Sequence, residues 1–159
     1  MKRPTIGTLV KGDENPELAI RKLASQGFES FSLMYWERVC GDLARTASEV
    51  CQVARETGTT ISSVSVYGNP LGGDEAGIAT LSSIKALVEH ASGFGCPLVS
   101  CFAGRVPGSS VPASIEVWKA VFGPLAERAE ARGLRLAFEN CRMGDTWKTG
   151  KWNIAINPD

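Results

Sequence analysis

Apolar and β-branched residues gather in five short runs, near Thr5 to Val10, Phe28 to Met34, Thr60 to Tyr67, Leu98 to Ala103 and Leu134 to Glu139. Runs of this length, poor in charge, read as strands covered by other elements. Between them the period changes to that of a helix. Leu43, Ala47, Val50, Cys51 and Ala54 share one face, as do Leu81, Ile84, Val88 and Ala91, and as do Ile115, Trp118, Phe122, Leu125 and Ala129. An earlier helix is announced by Asn15 as cap, Pro16 at the first helical position and Glu17 in the first turn. Gly27, Gly58, Gly95 and Gly133 each stand where a helix hands over to a strand, 31, 37 and 38 positions apart. That spacing is about one strand-helix unit, and glycine suits a left-handed helix end. The pattern predicts an α/β fold with five parallel strands and intervening helices, forming a single domain over residues 1–159.

Two architectures accept this input: an open doubly wound sheet of flavodoxin type, and a (β/α) TIM-barrel type that is incomplete at about five of eight units. An open sheet needs a helix after the fifth strand, yet residues 141–159 carry Gly144, Gly150 and Pro158 and no helical period. The turn after the first strand also lacks a glycine-rich phosphate cradle. Both points favour the barrel, with strands ordered one to five along the chain.

The overall balance removes several partner classes. Seventeen basic and seventeen acidic residues cancel, and neither sign forms a run, so neither nucleic acid nor an anionic membrane surface is an expected partner. No apolar stretch approaches the roughly 20 residues that span a bilayer. The five cysteines, Cys40, Cys51, Cys96, Cys101 and Cys141, form no Cys-x-x-Cys pair, and no apolar signal core follows Met1. The expectation is a reduced, cytoplasmic protein acting on a small, roughly neutral ligand or a metal complex.

In either architecture chemistry belongs at the carboxyl ends of the strands. Those ends bring Thr8; then Tyr35, Trp36 and Glu37; then Tyr67, Asn69 and Pro70; then Ser100, Cys101 and Arg105; then Glu139, Asn140 and Arg142. Flat rings with amides and acids suit a sugar. Glu139 leaves a buried strand, where a carboxylate needs a cation: it either pairs with Arg135 or Arg142 or helps to hold a hard divalent ion. Arg105 lies in a Gly/Pro-shaped loop, where its planar fork could clamp a phosphate or sugar oxygen or simply meet solvent. The one histidine, His90, falls within a helix far from any strand end, and Cys101 and Cys141 have no histidine partner.

Taken together, Ile6-Gly7, Cys101 to Arg105, Leu136 to Asn140 and Lys151 to Ala155 resemble the sugar phosphate isomerase/epimerase family of xylose isomerase-like TIM barrels, a group that includes an endonuclease IV branch. The resemblance implies that Glu139 is the first of the metal ligands and a catalytic carboxylate. From their strand-end and loop positions, Arg105, Asn140, Asn69 and Trp36 are the expected contacts with the sugar or sugar phosphate. The implied cofactor is a divalent metal, Mn²⁺, Mg²⁺, Co²⁺ or Zn²⁺, whose further ligands come from later strands, and the implied reaction moves a proton through an enediolate. Relatives often continue Glu-Asn with His, where this sequence has Cys141. The endonuclease branch needs several histidines and a basic surface, which one histidine and zero net charge oppose. A non-catalytic binding or assembly module is the remaining alternative. A barrel stopped after five strands leaves the first and fifth as open edges, so self-association and an inactive isolated chain are expected.

Overall fold

The computed structural model describes residues 3–156, so Pro158 lies outside the described residues. Among them the elements run β1 (Gly7–Lys11), α1 (Pro16–Ala24), β2 (Ser30–Trp36), α2 (Leu43–Thr57), β3 (Thr60–Tyr67), α3 (Glu75–His90), a 3₁₀ turn (Ala91–Phe94), β4 (Leu98–Cys101), α4 (Val111–Glu130) and β5 (Arg135–Phe138). The strands pair in the order β1-β2-β3-β4-β5, all parallel. That order excludes the flavodoxin arrangement, which places its second strand outside its first. Residues 139–156 contain no helix. Gly27, Gly58, Gly95 and Gly133 all take positive φ at the predicted handovers.

Period-two alternation gives the sheet two different faces. Val10, Phe31, Leu33, Tyr35, Val64, Val66, Val99 and Cys101 are buried together with Ile20, Val50, Ile84, Leu87 and Phe122 from the helices. The registers then place Leu9, Ser32, Met34, Trp36, Ser63, Ser65, Tyr67, Ser100, Ala137 and Glu139 on the face away from the helices. That face is rich in hydroxyls which bond to one another and to the backbone. Ser32 Oγ meets Ser63 Oγ at 2.6 Å, and Ser65 Oγ donates to Leu33 O at 3.0 Å.

Several local expectations change. Gly12 N–H donates to Met34 O at 2.8 Å, so the β1 ladder runs beyond Val10. Its tip is therefore Lys11, while Thr8 pairs with Phe31 on the helix-covered face. Tyr35 also points to the helices and is fully buried. Its ring occupies the space beside Gly12, where a Cβ would come within 2.2 Å. Asn15 sits at the start of α1 but does not cap it, because its left-handed backbone (φ 49°) turns the side chain away while its carbonyl accepts from Leu18 and Ala19. On α2 Val53 takes the buried place expected of Cys51, whose thiol instead donates to Gly93 O. On α3 Leu87 is buried where Leu81 is only half-buried.

Burial raises the Tyr35 phenol to about 12, with Asp13 adding to it, and raises the Cys101 thiol to about 12. Both groups are held neutral when folded and ionise from about 10 and 9 when unfolded. The unfolded chain therefore binds fewer protons above pH 9. The stability that these two groups contribute is complete below that value and is lost progressively as pH rises to 12. Urea unfolding at pH 8 and pH 11 checks this; equal midpoints would contradict it.

Candidate active site at the strand tips

The tips on the helix-free face carry one prominent side chain each. Lys11 ends β1 and pairs with Glu14. Trp36 ends β2, half-exposed, with Trp152 against it at 6.2 Å between ring centroids. Tyr67 ends β3, with Phe102 at 4.9 Å and Ser100 Oγ 3.4 Å from its hydroxyl. Glu139 follows β5, exposed, its N–H donating to Cys101 O at 3.0 Å. Burial pushes the Tyr67 phenol up, Ser100 opposes this, and the Glu139 carboxylate adds to it, which places the acid beside the phenol. Asn140 is exposed next to Glu139. Trp36, Tyr67 and Glu139 thus stand at one end of that face, with the buried Phe102 packed on Tyr67, which brings together aromatic rings, a phenol and a carboxylate.

Asn69 lines a cavity together with Glu37 and Trp152, while the Arg105 side chain is buried in the loops behind it. Arg105 is fully buried: its guanidinium donates to Ser109 O (2.8 Å), Thr146 O (2.7 Å) and Trp147 O (3.3 Å) and pairs with Asp145 at 3.6 Å. Its planar fork thus holds the chain's own loop carbonyls, which have no ladder to satisfy them. Asn69 donates to Arg105 O and Lys151 O and accepts from Arg105 N–H and Leu71 N–H, which uses the whole capacity of its amide. Gly104 permits this approach, because φ is +77° and a Cβ would meet Asn69 Oδ1 at 2.9 Å.

Two residues not anticipated from sequence complete this hub. Asp145 is buried and accepts from Lys151 N–H, Trp152 N–H and Asn153 N–H at 2.8 to 2.9 Å. Gly150 lies so close to that carboxylate that a Cβ would come within 2.3 Å of it. Asn153 is also fully buried and bonds to both β4 and β5 ends. The signal for both was the density of Asp, Thr, Gly and Asn over residues 145–153, residue types that bond their own backbone in turns. His90 is exposed on α3, away from the strand tips.

A divalent cation fits these residues at one point only. Glu139 is a hard oxygen donor at the rim, but no group of three or more His, Cys, Asp or Glu side chains is clustered among the described residues. No helix of the described residues is long and apolar enough to cross a membrane.

A family model for the xylose isomerase-like TIM barrel matches residues 20–153. No curated protein matches the sequence. Among solved structures, 3-keto-D-glucoside 4-epimerase YcjR from E. coli is 16% identical with TM-score 0.66, the match covering 93% of this chain and 59% of that one. D-psicose 3-epimerase, solved in the presence of D-fructose, is 13% identical with TM-score 0.66, covering 94% of this chain and 56% of that one. A xylose isomerase-like TIM-barrel protein from Mycobacterium smegmatis in complex with magnesium is 19% identical with TM-score 0.58, covering 78% and 46%. The chain spans less than two thirds of each of these structures. The fold is that of an incomplete TIM barrel, and with most of its length matched the chain belongs to the xylose isomerase-like TIM-barrel family.

Proposed function

We propose that this chain supplies one wall of the active site of a metal-dependent isomerase or epimerase acting on a sugar or sugar phosphate. The observation that carries the reading is the grouping of Trp36, Tyr67 and Glu139 at the strand ends of this barrel family. Glu139 would supply one carboxylate ligand to a divalent ion, Mn²⁺, Mg²⁺, Co²⁺ or Zn²⁺, which when bound would polarise the carbonyl and neighbouring hydroxyl of the sugar. Trp36, with Trp152 behind it, offers an apolar surface to the C–H face of the ring. Asn140 presents an amide to sugar oxygens from the position next to the ligand. The Tyr67 phenol stays protonated at neutral pH and can donate to an oxygen brought against Glu139. Two of the neighbours named above act on a sugar derivative or were solved with a sugar, and the third carries magnesium.

Titration of D-fructose and Mn²⁺ into the ¹⁵N-labelled chain tests the reading. Shift changes and broadening are expected at Trp36, Tyr67, Glu139 and Asn140. A response spread over the outer helices, or none at millimolar sugar, would reject it.

A further inference from the structure

The bond from Glu139 N–H to Cys101 O sets Glu139 opposite Phe102 in the β4–β5 ladder. In a regular parallel ladder the next bond joins Ala103 N–H directly to Glu139 C=O. Here it does not. Ala103 N–H donates instead to Asn153 Oδ1 at 3.1 Å, and Asn153 Nδ2 donates to Glu139 O at 2.9 Å. A side-chain amide has been inserted into the ladder in series. The same group donates to Cys141 O at 3.1 Å and accepts from Ala155 N–H at 3.1 Å. Both contacts of its oxygen are N–H groups and both close contacts of its nitrogen are carbonyls, so the network fixes which end of the amide faces which strand.

The inserted amide is itself immobilised. Asn153 N–H is bound by Asp145, which also binds Lys151 and Trp152 N–H and pairs with the buried Arg105. Arg105 is in turn bonded through its backbone to Asn69 after β3. The carbonyls on either side of Asn140 are therefore held from one point. The Glu139 and Asn140 side chains leave a backbone whose distance from β4 is set by the width of an amide group.

We propose that Asn153 is a positioning residue for Glu139: its carboxamide spaces the β5 tip away from β4 and so sets where the carboxylate stands relative to Tyr67 and Phe102. Its bearing on chemistry rests on the assignment of Glu139 made above. Without the insertion Ala103 N–H and Glu139 C=O can meet directly, which draws the carboxylate toward β4.

The 17.0 kDa chain suits NMR. In the unaltered protein a scalar coupling across the hydrogen bond is expected between Ala103 ¹⁵N and Asn153 ¹³Cγ. In Asn153→Ala it is replaced by coupling to the Glu139 carbonyl carbon, and the Overhauser contacts from the Glu139 side chain to the Tyr67 and Phe102 rings change in intensity. Protected amides at Val64 and Val66 certify the fold, and Asn153→Ser, which keeps one donor and acceptor in a smaller group, replaces the alanine variant should that fail to fold. Absence of the Asn153 coupling, or unchanged Glu139 contacts in the folded variant, overturns the proposal. Mn²⁺ separates positioning from plain stabilisation: the concentration that half-broadens the Glu139 amide should rise about 10–100-fold with the core amides unmoved. An unchanged Mn²⁺ response in the variant also overturns it. If Mn²⁺ fails to broaden Glu139 in the unaltered protein, the metal role falls, and the couplings and Overhauser contacts alone decide the spacing role.

Discussion

Replacing Asp145 with alanine is expected to lower unfolding stability by about 3–5 kcal/mol, the usual cost of removing one partner of a buried ion pair. The variant strands Arg105, which is fully buried with Asp145 at 3.6 Å. It also removes the acceptor for three backbone N–H groups, those of Lys151, Trp152 and Asn153. Each buried donor left without a partner costs about 1–3 kcal/mol, though loop relaxation toward water keeps the sum below simple addition. Asp145→Asn, which keeps the shape and one acceptor oxygen, should fall between the two. Arg45→Ala serves as contrast: its pair with Glu49 is an exposed i,i+4 bridge worth only a few tenths of a kcal/mol. Urea denaturation of the three variants checks the ranking. A loss under about 1 kcal/mol for Asp145→Ala would show that residues 145–153 open independently of the sheet.

Glu139→Gln should have the opposite profile. The residue is exposed and follows the last position of β5, so the substitution removes charge without a core contact. The ladder bond from its N–H to Cys101 O survives. Thermal midpoint is expected to stay within a few degrees; under the proposed function, and in a full-length version that also carries the metal ligands of the later strands, sugar isomerisation or epimerisation is expected to fall by about 10²–10⁴-fold, the range for loss of a positioned acid–base group. The measurement is the rate at which the proton beside the sugar carbonyl exchanges with D₂O, compared with the unaltered protein under the same conditions. Exchange that persists at the original rate would remove Glu139 from the chemistry.

Strand order, helix boundaries and the glycine handovers were legible because they follow from local rules: period, helix-end glycines and unit spacing. The identity of Glu139 as a strand-tip acid was legible for the same reason. What escaped the sequence was the direction of side chains near the tips. One extra residue of β1 ladder turned Thr8 inward and made Lys11 the tip, and Tyr35, adjacent to Trp36, faces the opposite way by simple alternation. For Arg105 and Asn69 the loop contacts were not legible, because these residue types serve substrate oxygens and orphan carbonyls equally well. Only tertiary placement tells which they meet, and here loop carbonyls some 40 positions downstream take the guanidinium. Asn153 was invisible for a related reason: its role exists only between two strands that it does not belong to.

The strand order has a consequence for how the molecule is made. Among the described residues each strand after β1 pairs with the strand immediately before it in sequence, so each has its template in place when it emerges from the ribosome. No pairing waits for a distant segment, the connections are one unit long, and closure entropy stays small throughout. The exception is the Asp145–Asn153 loop, which reaches back to residues 69 and 103–105 and can be seated only after β3, β4 and β5 are assembled. Sheet growth is thus vectorial, and the strand-tip end of the sheet takes its final shape in a late step that depends on that loop.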